Sequence, residues 1–377
     1  MSNLLLELNK AGVRPWLDNL KREMFHDGSL AKLIAEGGVR GQTSNPSIFQ
    51  SAIAKSDIYD EDILAWAEKG LAPEAIVWEL MIADVQSACD AFKELFEKSN
   101  GADGFVSLEL NPMLAHDTAA SLRQAQELVK KVARPNLMIK VPATVEGLPV
   151  VEELIAQGVN VNVTLLFSVK RYGEVIEAWM RGLERRVANN LPLEGIGSVA
   201  SFFVSRVDTE ADKRLDKAYA ADPSLKEKYG DLRGKLAVAN ACLAYELFLQ
   251  KTGTERWQKL AALGASVQRP LWASTSTKNP AYKDTLYVDD LIGPNCVNTM
   301  PDNTVVAFSD HGTVKETLTP EAIAESHKLL EAFAKSGQDM VDVTDNVLMT
   351  EGVDKFAVAY TQLLEAVTAK LAKLTGK

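Results

Sequence analysis

Leu137-Met138-Ile139-Lys140-Val141-Pro142 is a short apolar run with one ammonium inside it, bounded by Pro135 before and Pro142 at its end. A run of this length between prolines reads as a strand buried on both faces, as in a parallel sheet. Lys140 then either turns its head out to water, as a lone strand-end lysine does, or is held inward on the same face as Met138 and Pro142. Burial disfavours a charged amine, and the neutral form it favours is the one that attacks carbonyl carbon. The rest of the chain decides between these two readings.

Runs of the same kind recur at Val13 to Asp18, Val39 to Thr43, Phe105 to Leu110, Val159 to Leu165, Ser198 to Val204, Pro270 to Thr275 and Cys296 to Met300. Helical patterns lie between them. Ala75 to Lys98 carries Ile76, Leu80, Ala83 and Val85 on one side, and Asp117 to Val132 carries Ala120, Leu122, Ala125 and Leu128. Strand-helix-strand repetition implies parallel strands joined by right-handed crossovers. With Leu137 to Val141 included, the runs number what a closed (β/α)8 TIM barrel requires. A doubly wound open sheet would instead carry a Gly-rich turn after its first strand, and no Gly-x-Gly-x-x-Gly occurs.

Thr209 to Gln250 exceeds one crossover and reads as a helical insertion with two helices around Pro223. Pro320 to Ala334 and Val353 to Leu374 read as helices packed outside the barrel, the first opened by Thr319 and Pro320 as N-cap and N1 residues. The whole chain, 1–377, is expected to form one barrel domain with this insertion, about 209–250, and C-terminal helices, about 320–374.

A net charge of -10 over 377 residues argues against a general nucleic-acid or anionic-membrane surface, because both need a clustered basic face. Hydrophobic residues at 46% supply a large core, yet no stretch approaches a membrane span and Met1 to Lys10 has no secretory pattern, so a cytoplasmic protein is expected. Cys89, Cys242 and Cys296 are far apart, and His26, His116, His311 and His327 show no ligand spacing. Neither a disulfide framework nor a metal site is expected, and no cofactor is called for. Apolar helix faces would serve a monomer or a homodimer equally well.

Side chains alternate along a strand. In Phe105 to Asn111 this places Val106, Leu108 and Leu110 on one face and Ser107, Glu109 and Asn111 on the other. In Val159 to Leu165 it separates Asn160, Asn162 and Thr164 from the valines. A polar face on a parallel strand needs an enclosed reason, so the inward set of Glu109, Lys140, Asn162 and Thr164 reads as an active site. Asp18 ends the first run and Asn45 follows the second, at the strand ends where barrels keep their chemistry; either alone is more often a turn or helix cap, and the reading rests on the set. Ser201 and Arg206 leave the sixth run and Lys278 follows the seventh, where barrel loops bind phosphate.

Thr43-Ser44-Asn45-Pro46-Ser47, Ser107-Leu108-Glu109, Ile139-Lys140-Val141-Pro142, Asn162 to Ser168, Ser201 to Arg206 and the closing segment Met349 to Phe356 together resemble the transaldolases, in particular their longer bacterial form. The resemblance implies a class I aldolase barrel without metal, which moves a dihydroxyacetone unit between phosphorylated sugars. It implies Lys140 as the Schiff-base residue and Glu109 acting through a water positioned by Thr164. Asp18 would serve as the acid/base for carbon-carbon cleavage, Asn45 and Asn162 would hold the dihydroxyacetone hydroxyls, and Ser201 with Arg206 the phosphate. Lys278 stands where shorter relatives carry a second phosphate-binding arginine, keeping the charge and losing the fork. A fructose 6-phosphate aldolase that releases free dihydroxyacetone, and a silent phosphosugar-binding barrel, are the alternatives. The first would be much shorter with a tyrosine in place of Glu109, and the second would lack Lys140, Glu109 or Asp18.

Overall fold

A computed structural model describes residues 3–376. Eight parallel strands close on themselves in sequence order: β1 Val13–Asp18, β2 Gly41–Thr43, β3 Phe105–Glu109, β4 Leu137–Pro142, β5 Asn160–Leu166, β6 Ser198–Phe203, β7 Gln268–Ala273 and β8 Cys296–Met300, with β8 paired back to β1. The expected (β/α)8 barrel is therefore present, and each expected run overlaps its strand. The edges differ by one or two residues: β2 shortens to three residues and β7 starts earlier, at Gln268.

Register fixes which residues share a level. Glu109 pairs with Lys140, Lys140 with Asn162, and Pro142 with Thr164. With a period of two, this alignment sends all of them to one face. The β5–β6 ladder then shifts register between Val163 and Leu166, where Leu165 takes a left-handed backbone at φ 58°. That bulge ends the alternation anticipated through Leu165.

The crossover helices begin with the caps their sequences offer. Asn45 accepts from the Ile48 amide at 3.1 Å with Pro46 at N1, Ser168 accepts from Arg171 at 3.2 Å, and Thr319 accepts from Ala322 at 3.3 Å ahead of Pro320. Within the expected insertion lie the end of helix Ser205–Ala221, a short helix Ser224–Tyr229 after Pro223, and helix Leu236–Thr252. Leu236–Thr252 is mostly buried, packed against Val169–Ala188 and Pro320–Lys335, and so forms part of the outer helical ring. The last helix, Met349–Thr375, follows a π-helical segment, Asp342–Leu348, and packs on Pro46–Lys55 and on the start of Pro73–Lys98's neighbourhood through Trp78 and Tyr360, whose Nε1–H and hydroxyl lie 3.1 Å apart. Among the described residues no helix is long and apolar enough to cross a membrane.

Candidate active site

Lys140 lies in the middle of β4 and points into the barrel, 4% exposed. Its Nζ donates to Glu109 Oε2 at 3.1 Å and to the Ser44 carbonyl at 3.2 Å. The inward reading of the lysine is the one observed. Glu109 is equally enclosed, and desolvation pushes its carboxyl up to about 7 although the Lys140 ammonium pulls the other way. A buried carboxyl at that level can both give and take a proton near neutrality.

Asn162, one strand further, is fixed at both ends of its amide: its Nδ2 donates to Ser107 Oγ at 3.0 Å, and its Oδ1 accepts from Ser201 Oγ at 2.6 Å. Thr164 faces the same interior, its hydroxyl buried without a protein partner. A buried hydroxyl without a protein partner is free to hold a water or a ligand atom.

Across the barrel, Asp18 Oδ1 accepts from Thr43 Oγ1 at 2.7 Å, and that hydroxyl also lies 2.7 Å from Thr299 Oγ1. Burial raises the Asp18 carboxyl, with Lys140, Thr43 and Lys278 opposing. Asn45 uses Oδ1 as its helix cap, so the cap reading holds, while its side chain also lines the central cavity.

That cavity, about 220 Å³, is bordered by Asp18, Asn45, Lys140, Ser201, Arg206 and Lys278, which brings the sequence-chosen residues of five strands or strand ends to one place. Glu109, Asn162 and Thr164 stand behind this lining in the barrel wall. Arg206 begins the helix after β6, has no ion pair among the described residues, and leaves Nη1 buried without a partner. Burial lowers its pKa, and its guanidinium lies 5.3 Å from the Phe203 ring centroid. Ser201, on β6, donates its hydroxyl to Asn162 Oδ1 and borders the same cavity as Arg206. Lys278 is exposed at the mouth.

Sequence reasoning gave no role to Thr43, Ser44, Thr299 or Phe356. Phe356 is the most consequential of these: it comes from the last helix, lies 5.6 Å from Lys140 Nζ and 6.0 Å from the Arg206 guanidinium, and roofs the cavity. The only signal for it was its place in the closing segment Met349 to Phe356. Its spacing with Val353, Tyr360 and Leu363 is that of ordinary helix core.

Comparison with known proteins places this geometry in context. The family described as "Transaldolase/Fructose-6-phosphate aldolase" matches residues 15–367. A protein named "Transaldolase" from Frankia alni is 47% identical over 374 residues, 99% of this chain and 99% of its own. Another of that name, from Mycolicibacterium smegmatis, is 47% identical over 367 residues, 97% of each chain. A "Transaldolase 2" from Nostoc sp. is 43% identical over 377 residues, 99% of each.

Proposed function

We infer the activity from one premise: the chain belongs to the transaldolase/fructose-6-phosphate aldolase family. It is a transaldolase, a transferase that carries a dihydroxyacetone unit from a ketose phosphate, sedoheptulose 7-phosphate or fructose 6-phosphate, to an aldose phosphate, glyceraldehyde 3-phosphate or erythrose 4-phosphate. This is the exchange of the non-oxidative pentose phosphate pathway. The observation that supports this reading most directly is the buried Lys140–Glu109 contact of 3.1 Å at the edge of the cavity.

In the mechanism we propose, Lys140 Nζ adds to the ketose carbonyl carbon and gives a carbinolamine. Glu109, poised near 7, takes the amine's proton and returns one to the departing hydroxyl through a water held by the unpartnered Thr164 hydroxyl. Water leaves and an iminium forms. Asp18 then removes the proton from the hydroxyl on the carbon that will become the aldehyde. The bond between the carbon α to the iminium and that hydroxyl-bearing carbon breaks, its electron pair enters the iminium, and an enamine remains on Lys140 while the aldose departs. An acceptor aldose reverses these steps, with Asp18 returning the proton. Thr43, donating to one Asp18 oxygen, orients the other toward the substrate.

Asn45 and Asn162 hold the hydroxyls of the dihydroxyacetone unit, while Arg206, Ser201 and Lys278 serve the phosphate end. Phe356 over Lys140 gives the enamine an apolar roof that keeps water from discharging it before an acceptor arrives.

The test is incubation with fructose 6-phosphate alone, borohydride reduction, and mass spectrometry beside an assay for free dihydroxyacetone. We expect a dihydroxyacetone adduct on Lys140, little free product, and neither adduct nor transfer in Lys140→Ala. Abundant free dihydroxyacetone would instead identify an aldolase, and an adduct on another residue would remove Lys140 from its role.

A further inference from the structure

A second cavity, about 240 Å³, adjoins the first, and Lys278 lines both. Its opposite wall is the helix Ser205–Ala221, the same helix that carries Arg206 near its start. Ser205, Asp208 and Asp212 are spaced three and four apart and so share one side of that helix. Each is tied to the segment that leaves β7. The Ser205 and Ser274 hydroxyls are 2.9 Å apart, the Tyr282 hydroxyl donates to Asp212 Oδ2 at 2.6 Å, and the Tyr287 hydroxyl donates to Asp208 Oδ2 at 2.8 Å. Lys278 lies midway between the first tie and the second.

The remaining carboxylate oxygens are taken by the long stretch between β6 and β7. The Gly234 amide donates to Asp212 Oδ1 at 3.0 Å and the Ala237 amide to Asp208 Oδ1 at 2.8 Å. Gly234 has φ +70°, and a Cβ there would come within 2.7 Å of the Tyr282 ring. Glycine alone makes this turn without strain and leaves the ring its seat. Beside it, Arg233 pairs with Asp216 of the same helix at 2.9 Å.

We propose that this insertion is a positioning device for the phosphate end of the reaction: Gly234, Asp212 and Tyr282 clamp the Lys278 segment to the helix that carries Arg206, so that both cations meet one phosphate. The inference rests on the assignment of Lys278 to the phosphate given above. A lysine has no fork to fix its geometry and a flexible stem, so its contribution depends on where its backbone is held. Tyr282 and Asp212 act through Lys278 and touch no substrate themselves.

Tyr282→Phe keeps the ring and removes only the hydroxyl. We expect KM for fructose 6-phosphate to rise about fivefold, the factor one hydrogen bond carries, and the inhibition constant for inorganic phosphate to rise with it. The kcat and the yield of borohydride-trapped adduct at saturating ketose should not change. Gly234→Ala should move both constants in the same direction, while Asp212→Asn, which keeps an acceptor oxygen, should move them less. Lys278→Ala separates the two levels of the argument. If it leaves the phosphate constant unchanged, the assignment of Lys278 fails and the clamp with it. If it raises the constant while Tyr282→Phe and Gly234→Ala do not, the clamp alone is overturned, as it is if Tyr282→Phe lowers kcat with the phosphate constant unmoved.

Discussion

Burial pushes the Glu109 carboxyl up to about 7 in the folded chain, against 4.5 in its ordinary setting. Glu109→Gln retains the size and loses the proton exchange, so turnover should fall by roughly 10² to 10⁴, and an ionisation near 7 should vanish from the pH–rate profile. The same shift reaches stability. Between about 4.5 and 7 the folded chain keeps a proton that the unfolded chain has released, so this group makes the fold less stable as pH rises through that window. Removing it should make the slope of unfolding free energy against pH more positive by up to one proton, ~1.4 kcal/mol per pH unit. Urea unfolding at several pH values measures this; coincident slopes for the two proteins would show that the raised carboxyl is not Glu109. Glu109, Lys140 and Asn162 were legible in the sequence because strand parity is strict: Lys140 breaks an apolar run, and Glu109 and Asn162 lie on the polar side of strands whose other side is apolar. Phe356 and the Ser44 carbonyl were not. A phenylalanine at helical spacing looks like core, and a backbone oxygen has no letter of its own.

The strands were legible as elements because both faces of a parallel strand are buried, which leaves continuous apolar runs bounded by turn residues. The Leu165 bulge and the π-helical segment Asp342–Leu348 were hidden, since each depends on contacts with distant elements and on no residue that demands it locally. Gly182 shows the same gap between local preference and packing. In the middle of helix Val169–Ala188 it reads as a weakness of about 1 kcal/mol relative to alanine. A Cβ there would come within 2.7 Å of the Glu152 carbonyl oxygen and 2.7 Å of Ile155 Cβ, on the helix Gly147–Ala156 that packs against it. The contact with a backbone atom cannot be relieved by a rotamer change. Gly182→Ala should therefore destabilise by up to about 2 kcal/mol, the balance of an overpacking cost of ~1–3 kcal/mol and a helical gain of ~1 kcal/mol. An unchanged or higher urea midpoint would show that the two helices have room to separate.

Glu109, Lys140, Arg206 and Phe356 come from positions spread over most of the chain, so the site exists only when the barrel is closed and the last helix is docked. This is the physical reason to expect one cooperative unit over 1–377, with the stretch about 209–250 unfolding together with the rest. Three cysteines can test it. Cys89 lies in Pro73–Lys98, Cys242 in Leu236–Thr252, and Cys296 opens β8; all are buried. Burial pushes the Cys89 thiol up to about 12 and raises those of Cys242 and Cys296, so the reactive thiolate is scarce in the folded state at all three. Pulsed alkylation along a urea series, read by mass spectrometry, should therefore give one midpoint for all three. Cys242 borders an open cavity of about 580 Å³ between its helix and Pro320–Lys335. That access can raise its labelling before the transition, but it cannot move the midpoint. A lower midpoint for Cys242 alone would mean that the helices after β6 open as a separate unit. The barrel would then hold its lysine pair while losing the tie between Tyr282 and Asp212, and phosphate inhibition would fade at lower urea than Schiff-base trapping.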